Sequence, residues 1–213
     1  MAKLRGRFIT FEGGEGAGKS TQAAYLAEEL ENEGVSVLLV REPGGTPLGE
    51  KIRKILKDGK GQAPCPRAET LLFLAARAQL VEKTIEPALA SGKWVVSDRF
   101  CDSTLAYQGY GRGLPVDELR SMDCFARSGI LPDLTILLDI DLDSGMERLD
   151  ARALESGGHL DRIELEKREF HERLRRGFLE LALADKERFD VINAALDRDC
   201  VRRLVWKSVS RFL

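Results

Sequence analysis

The stretch that decides the fold of this chain is Gly13-Gly14-Glu15-Gly16-Ala17-Gly18-Lys19-Ser20-Thr21. An apolar run of strand length, residues 8–11, comes directly before it, and a helical pattern with one apolar face follows it and ends near residue 34. When a strand, a glycine-rich loop and a helix follow in this order, backbone N–H groups and the helix N-terminus bind phosphate oxygens. The loop lysine can reach the outer phosphates, and the hydroxyl after it can bind Mg²⁺. The stretch therefore predicts a phosphate-binding loop, and the strand and helix beside it argue against a chance glycine-rich turn.

The composition predicts one soluble domain that spans residues 1–213. Its 33 basic and 35 acidic residues give no bulk attraction to nucleic acid or to an anionic membrane. No apolar run approaches the ~18 residues of a membrane-spanning helix, and no signal-peptide core follows the basic start. The four cysteines are scattered without a C-x-x-C pair, which favours free thiols in a reducing compartment. His159 and His171 are too isolated to indicate a metal site.

Apolar runs and helical patterns alternate along the rest of the chain. Further strands are predicted at residues 35–40, 94–97, 134–138 and 189–192, and the nearly continuous apolar run of the first is typical of a buried parallel strand. A long helix is predicted over residues 66–90, and a glycine-rich loop after the third strand. The buried stripe of the long helix is expected to be Leu71, Leu74, Ala75, Ala78, Val81 and Ile85. This alternation predicts an α/β fold in three layers, a five-stranded parallel sheet with helices on both faces.

Charged residues stand at the carboxyl ends of the predicted strands, where ligands of such sheets bind. Arg41 ends the second strand, Asp98 and Arg99 end the third, and Asp139 ends the fourth. Each of them alone could be a solvated loop charge, but together beside a phosphate loop they favour one shared cleft. Arg41 and Arg99 are forked donors, suited to holding an acceptor that is itself a phosphate ester.

Two aromatic residues and their polar neighbours form a second group. Phe73 and Arg77 are four residues apart on the long helix, so they share one face. Tyr107 and Gln108 add a ring and an amide. A ring can stack on a planar base while a guanidinium or an amide pairs with the polar edge of that base. From the helix residues alone, a core phenylalanine with a surface arginine is the favoured alternative.

Three arginines flank a possible lid. Arg148, Arg152 and Arg162 surround a segment that contains Gly157-Gly158. An arginine on a closing loop can stabilise the diffuse negative charge of phosphoryl transfer. Taken alone, the same residues are also typical of a surface loop with ordinary salt bridges.

The order of these motifs resembles the thymidylate kinase family over residues 7–195. The motifs are the phosphate loop with Glu15, Arg41-Glu42-Pro43-Gly44-Gly45-Thr46, Asp98-Arg99, Ser103-Thr104 with Ala106-Tyr107-Gln108-Gly109, Pro132-Asp133-Leu134-Thr135 and Leu160-Asp161-Arg162-Ile163-Glu164. The resemblance implies ATP-dependent phosphorylation of dTMP to dTDP with Mg²⁺, by a cytoplasmic homodimer that binds no nucleic acid or membrane.

The resemblance also implies a role for individual residues. ATP would lie on residues 13–21 with Arg148 and Arg152, and Ser20 and Asp98 would position Mg²⁺. Arg99 and Arg41 would hold the dTMP phosphate, Glu15 would contact the sugar 3′-hydroxyl, and Tyr107 would exclude a 2′-hydroxyl. Phe73 would stack on thymine while Arg77 and Gln108 read its polar edge. Glu42 and Ser103 complete the substrate-binding set. The residues implied to be catalytic are Lys19, Arg99, Arg152 and Glu15.

One position suggests a subtype. Gly16 stands where some family members have an arginine, so this chain resembles the bacterial type, which takes its catalytic arginine from the lid, here about residues 148–162. Arg152 is the candidate, with Arg148 and Arg162 as neighbours. Two alternatives stay open at this stage. One is a kinase of the same fold for another small acceptor, and the other is a nucleotide-binding ATPase switch that works through a protein partner.

Overall fold

The computed structural model describes residues 5–57, 62–156 and 160–213. Its sheet has five parallel strands in the order β2-β3-β1-β4-β5. The strands are Phe8–Glu12 (β1), Val37–Arg41 (β2), Trp94–Asp98 (β3), Leu134–Asp139 (β4) and Phe189–Asn193 (β5). The predicted α/β fold with a five-stranded parallel sheet is therefore confirmed.

Helices connect the strands and cover the sheet. In chain order they are Lys19–Asn32 (α1), Pro47–Lys57 (α2), Pro66–Leu80 (α3), Glu86–Ala90 (α4), Cys101–Thr104 (α5), Val116–Ala126 (α6), Leu142–Ser156 (α7), Arg168–Ala184 (α8) and Arg198–Val209 (α9). Two π-helical segments, Val81–Ile85 and Leu105–Gly111, extend α3 and α5 without a break, and a 3₁₀ turn follows α9. No helix in the described ranges has the length and apolar character needed to cross a bilayer.

The side chains of the central strand alternate between two cores. Ile9 and Phe11 pack with residues of α1 and α9 on one face of the sheet, whereas Phe8 packs with Leu80 and Ile85 on the other. This alternation follows from the pleat of a strand, which points successive side chains to opposite faces. With both faces covered, the chemically active residues are left at the carboxyl edge.

The structure corrects three details of the sequence-based expectations. The second strand is an edge strand rather than a buried one, and Leu39 is 46% exposed, because β2 pairs only with β3. The long helix covers the predicted residues, but Leu71 and Ala75 of its expected buried stripe lie on its exposed side. The expected glycine-rich loop after β3 is helical over residues 101–111.

Candidate active site

One cleft of about 1180 Å³ opens at the carboxyl edge of β1, β2 and β3. The register of these strands places Phe11, Asp98 and Arg41 side by side, which brings the three strand ends together. The predicted site residues that line the cleft are Glu15, Gly16, Ala17, Gly18, Lys19, Ser20, Thr21, Arg41, Glu42, Phe73, Arg77, Asp98, Arg99, Ser103, Tyr107, Gln108, Arg148 and Arg152. Gly13 and Gly14 instead line a cavity of about 30 Å³ behind the phosphate loop.

Asp139 does not join this cleft. Its two carboxylate oxygens accept hydrogen bonds from Arg175 of α8 at 2.7 and 2.8 Å. The strand end therefore carries an ion pair with a neighbouring helix, and the expectation that Asp139 faces the shared cleft is wrong.

The phosphate loop depends on backbone conformations that favour glycine. Gly16 and Gly18 have φ values of 72° and 86°, and Gly18 caps the N-terminus of α1. The Lys19 ammonium folds back onto the Gly14 carbonyl oxygen at 2.6 Å. Burial, together with the nearby Arg99 guanidinium, lowers the pKa of Lys19 to about 8. The loop thus holds a buried cation beside a helix N-terminus, as an anion-binding site requires.

Ser20 and Asp98 meet at the mouth of the loop. The Ser20 hydroxyl donates a hydrogen bond to Asp98 Oδ2. The other oxygen, Asp98 Oδ1, is buried and has no hydrogen-bond partner among the described residues. A buried carboxylate oxygen without a donor is a costly arrangement, unless a cation or a ligand completes it. Hydroxyl and carboxylate oxygens are ligands that suit Mg²⁺.

Glu15, Arg99 and Tyr107 form a compact cluster on the acceptor side. Arg99 donates to Glu15 Oε1 at 2.7 Å, and the Tyr107 hydroxyl donates to the same oxygen at 2.5 Å. Burial opposes ionisation of Glu15, but Arg99, Lys19 and the Tyr107 hydrogen bond outweigh it and lower its pKa to about 2. Glu15 is therefore an anion at neutral pH. The cluster offers an ionised acceptor next to a guanidinium, which suits a ligand that carries both a hydroxyl and a phosphate.

Glu12, at the end of β1, holds the residues that follow Arg99 in place. The sequence analysis did not identify it. Its carboxyl oxygens accept hydrogen bonds from the Phe100 and Ser103 backbone N–H groups at 2.8 and 3.2 Å and from the Ser103 hydroxyl at 2.5 Å. These contacts hold the turn in which Arg99 adopts φ 72°, a conformation that costs energy for a residue with a side chain. Burial and the nearby Asp102 raise the pKa of Glu12 to about 8. A carboxyl group inside an otherwise apolar strand is the signal that could have revealed it.

Arg77 is buried, with 1% of its surface exposed, so the alternative of a surface arginine is wrong. Its guanidinium donates to Asp123 at 2.6 Å and to Glu42 and the Phe100 carbonyl oxygen at 2.9 Å each. It also donates to the Thr104 hydroxyl. All five of its N–H donors are engaged by these partners. Arg77 and Glu42 therefore form part of the cleft wall as a buried ion pair.

Phe73 and Gln108 also line the cleft. Phe73 is half-buried and packs against the apolar cluster that contains Tyr107. The Gln108 amide nitrogen donates to Glu69 Oε1 at 3.0 Å. A flat ring and an amide thus both line the cleft.

The predicted lid arginines have different surroundings. Arg148 donates to the Ala194 carbonyl oxygen at 2.8 Å, and Arg152 donates to Glu164 at 2.7 Å with 59% of its side chain exposed. Arg162 is bound away from the cleft, to Glu69 at 2.6 Å and to the Leu56 carbonyl oxygen. Gly157 and Gly158 lie outside the described residues. On α7 the cleft therefore receives two arginines, Arg148 and Arg152.

Comparisons with known proteins give one consistent result. Residues 11–205 match the family model described as "Thymidylate kinase". The chain is 48% identical to a thymidylate kinase of Magnetococcus marinus over 206 residues, covering 97% of this chain and 96% of that one. It is also 48% identical to a thymidylate kinase of Clavibacter sepedonicus, covering 93% and 92%. A crystal structure of thymidylate kinase from Ehrlichia chaffeensis superposes with a TM-score of 0.77 at 36% identity, covering 96% of this chain and 99% of that one.

Proposed function

This chain belongs to the thymidylate kinase family and phosphorylates dTMP to dTDP, with ATP as the phosphoryl donor of the family, and from that premise we propose how the cleft holds both substrates. The ATP phosphates lie on the phosphate loop. The dTMP phosphate lies beside Arg99, with its sugar next to Glu15 and its base between Phe73 and Gln108. The single observation that carries this arrangement is the cleft itself, because one cavity joins the loop to the Glu15–Arg99–Tyr107 cluster.

On the acceptor side, the residues position dTMP rather than react with it. Arg99 and Arg41 carry the positive charge that a phosphate monoester needs. The ionised Glu15 accepts a hydrogen bond from the sugar 3′-hydroxyl. The Tyr107 hydroxyl is bound to Glu15 at 2.5 Å, and we assign to this ring the exclusion of a 2′-hydroxyl. Ser103 supports this end indirectly, because its hydroxyl is bound to Glu12 and contacts Arg99 at 3.3 Å.

On the donor side, the chain supplies charge. Lys19 reaches the outer phosphates once it leaves the Gly14 carbonyl oxygen. Ser20 and the unpartnered Asp98 Oδ1 would hold Mg²⁺, which when bound with ATP would neutralise phosphate oxygens. Because little covalent chemistry falls to the protein in this class of reaction, positioning and charge stabilisation account for the catalysis.

The lid completes the site as in the bacterial type. A Cβ atom on Gly16 would lie 2.1 Å from the Gly145 carbonyl oxygen, so the phosphate loop has no space for an arginine there. Arg152, and Arg148 one turn before it, are the cations on α7 that line the cleft. We assign Arg152 to the transferring phosphoryl group and Arg148 to the binding of ATP. Residues 1–213 act as one domain with a lid at about residues 148–162.

An apolar surface supports the homodimer. Leu71 is 59% exposed on α3 and Phe125 is 90% exposed on α6, and these two helices pack together. Ala75 and Met122 lie on the same helices and are also accessible. Exposed apolar side chains on two packed helices are typical of a protein interface. The four cysteines are free thiols, which fits a cytoplasmic enzyme. Sedimentation of the wild type and of Phe125→Asp tests the assembly, because only the wild type should form dimers.

The experiment that tests the substrate assignment is an ADP-release assay with ATP, Mg²⁺ and a panel of acceptors. The panel contains dTMP, dUMP, TMP, dCMP, dGMP and AMP. We expect dTMP to be the best acceptor and dUMP a poor one, since one methyl group in an apolar spot contributes only ~1–3 kcal/mol. Purine monophosphates should be nearly inactive. Efficient phosphorylation of AMP would contradict the proposed base site.

A further inference from the structure

Glu69 is a buried carboxylate that lies behind the cleft, on α3. It is 1% exposed and it does not line the cleft. Four donors surround it: Gln108 Nε2 at 3.0 Å, Arg112 Nε and Nη2 at 3.1 Å each, and Arg162 Nη2 at 2.6 Å. Burial opposes its ionisation, but the hydrogen bonds from Arg112, Gln108 and Arg162 lower its pKa. Glu69 is therefore an anion at neutral pH.

This charge state fixes the orientation of the Gln108 amide. An ionised carboxylate can only accept hydrogen bonds, so Gln108 must turn its NH₂ group towards Glu69 and its Oε1 away from it. Gln108 lines the cleft, and no described residue donates to its Oε1. Gln108 is 1% exposed, and because Glu69 holds its amide nitrogen, Oε1 is the polar atom of this side chain that is left for the cleft. Gln108 therefore presents a hydrogen-bond acceptor, its Oε1, to the cleft.

A free glutamine amide would discriminate little between bases, because a half-turn of its side chain exchanges donor and acceptor. The pyrimidines differ in this respect at ring position 3. Thymine and uracil carry an N–H there, which donates to a carbonyl oxygen, whereas cytosine carries a bare nitrogen, which only accepts. A carbonyl oxygen held in place accepts from the first two bases and faces the lone pair of the third. With cytosine, the Gln108 carbonyl oxygen and the nitrogen at ring position 3 would both stay unpaired in a buried site, which is unfavourable.

We propose that Glu69 is a specificity-positioning residue: by holding Gln108 Nε2 it presents Gln108 Oε1 to the base, and so selects pyrimidine monophosphates with an N–H at position 3 over dCMP. This inference rests on the proposed placement of dTMP with its base at Gln108. Glu69 touches no substrate and acts only through the amide. The thymine methyl group is read by other side chains, so Glu69 has no part in the choice between dTMP and dUMP.

The test compares three acceptors in the wild type and in Glu69→Gln. The new amide can donate to Gln108 Oε1, so Gln108 becomes free to turn over. We expect the ratio of kcat/KM for dTMP to that for dCMP to fall by about two- to tenfold, the value of one net hydrogen bond. The ratio of dTMP to dUMP should stay at its wild-type value. Arg112→Gln is the matched control, because it removes a partner of Glu69 but keeps the contact with Gln108, and it should preserve both ratios.

Several outcomes would overturn the proposal. One is a folded Glu69→Gln enzyme with the wild-type ratio of dTMP to dCMP, and another is an equal change in both ratios, as a general structural role would produce. If Glu69→Gln does not fold, Glu69→Asp replaces it, because it keeps the charge for the two arginines but withdraws the oxygens from Gln108. The same loss of discrimination is then expected, and its absence contradicts the proposal. A wild-type enzyme that does not phosphorylate dTMP would instead contradict the proposed function itself.

Discussion

Gly16 of the phosphate loop and Gly145 of α7 meet backbone to backbone. A Cβ atom on Gly145 would lie 2.9 Å from the Glu15 carbonyl oxygen, and one on Gly16 would lie 2.1 Å from the Gly145 carbonyl oxygen. This contact docks the helix that carries Arg148 and Arg152 directly on the phosphate loop. The position of α7 relative to that loop therefore depends on the absence of two side chains.

Gly145→Ala should lower kcat. The preference of a helix for alanine over glycine, about 1 kcal/mol, is offset by the roughly 1–3 kcal/mol cost of overpacking against the Glu15 carbonyl oxygen, so the free energy of unfolding should stay the same or fall slightly. The added methyl group must push α7 from the loop, because its nearest neighbour is a backbone atom that cannot turn aside. Kinetics and thermal unfolding of the same preparation measure both effects. Glu147→Ala, at an exposed position of α7, is the control, and equal kcat values for both variants would contradict the docking role.

Arg152→Ala should lower kcat far more than it weakens dTMP binding. A supplied arginine is typically worth ~10³–10⁵ in the rate of phosphoryl transfer. In its ion pair with Glu164 the Arg152 side chain is 59% exposed and the glutamate 8% exposed, so Arg152 must exchange this contact for one with the phosphoryl group. Steady-state kinetics of Arg152→Ala, Arg148→Ala and Arg162→Ala identify the contributor, because a contact made only in the reacting complex changes kcat. Wild-type kcat in all three variants would exclude the lid mechanism.

Arg77→Met should destabilise the fold by about 3–5 kcal/mol, the usual cost of removing one partner from a buried ion pair. The change leaves Glu42 buried without its guanidinium and removes one of the partners of Asp123. Denaturant unfolding measures the loss. Arg41→Met serves as the comparison, since Arg41 is 56% exposed in its pair with Glu50, and such surface pairs contribute about 0–1 kcal/mol. A loss no larger than that of Arg41→Met would show that the buried network contributes little.

The affinity for ATP should fall as the pH rises above about 8. Lys19 has a pKa lowered to about 8 in the free enzyme, so it is charged below that pH and neutral above it. The value of kcat/KM for ATP reports the free enzyme and should drop by up to tenfold per pH unit above about pH 8. The value of kcat reports the enzyme with its substrates bound and should stay constant to a higher pH. Glu12 titrates in the same range, so Glu12→Gln is the control and should keep the alkaline limb. A flat kcat/KM up to pH 10 would contradict the lowered pKa.

The sequence allowed the sheet and the phosphate loop to be predicted, because both follow from local patterns. Apolar runs of strand length and a glycine loop before a helix need no information from distant residues. The position of a strand within the sheet does need it. The second strand has the apolar run of a buried strand but lies at an edge, since its neighbours are set by strands elsewhere in the chain. Leu71 looks like a core residue for the same reason, although it faces outwards.

The buried polar residues behind the site could not be predicted from local patterns. Glu12 contacts Ser103, 91 residues away, and Glu69 contacts Arg162, 93 residues away. No spacing rule links such pairs, and a single carboxylate in a strand or helix looks like a surface residue. The residues that line the cleft were found more readily, because strand ends and the phosphate loop mark where ligands of this fold bind.

The measurement that tests the account most directly is the stoichiometry of ADP and dTDP formed from ATP and dTMP, by the wild type and by Lys19→Ala. The wild type should form equal amounts of the two products. Lys19→Ala should form little of either, although it should still fold and still bind dTMP, because the acceptor cluster is intact. ADP formed without dTDP, or near-normal turnover by a folded Lys19→Ala enzyme, would contradict the claim that one cleft joins the phosphate loop to the dTMP site.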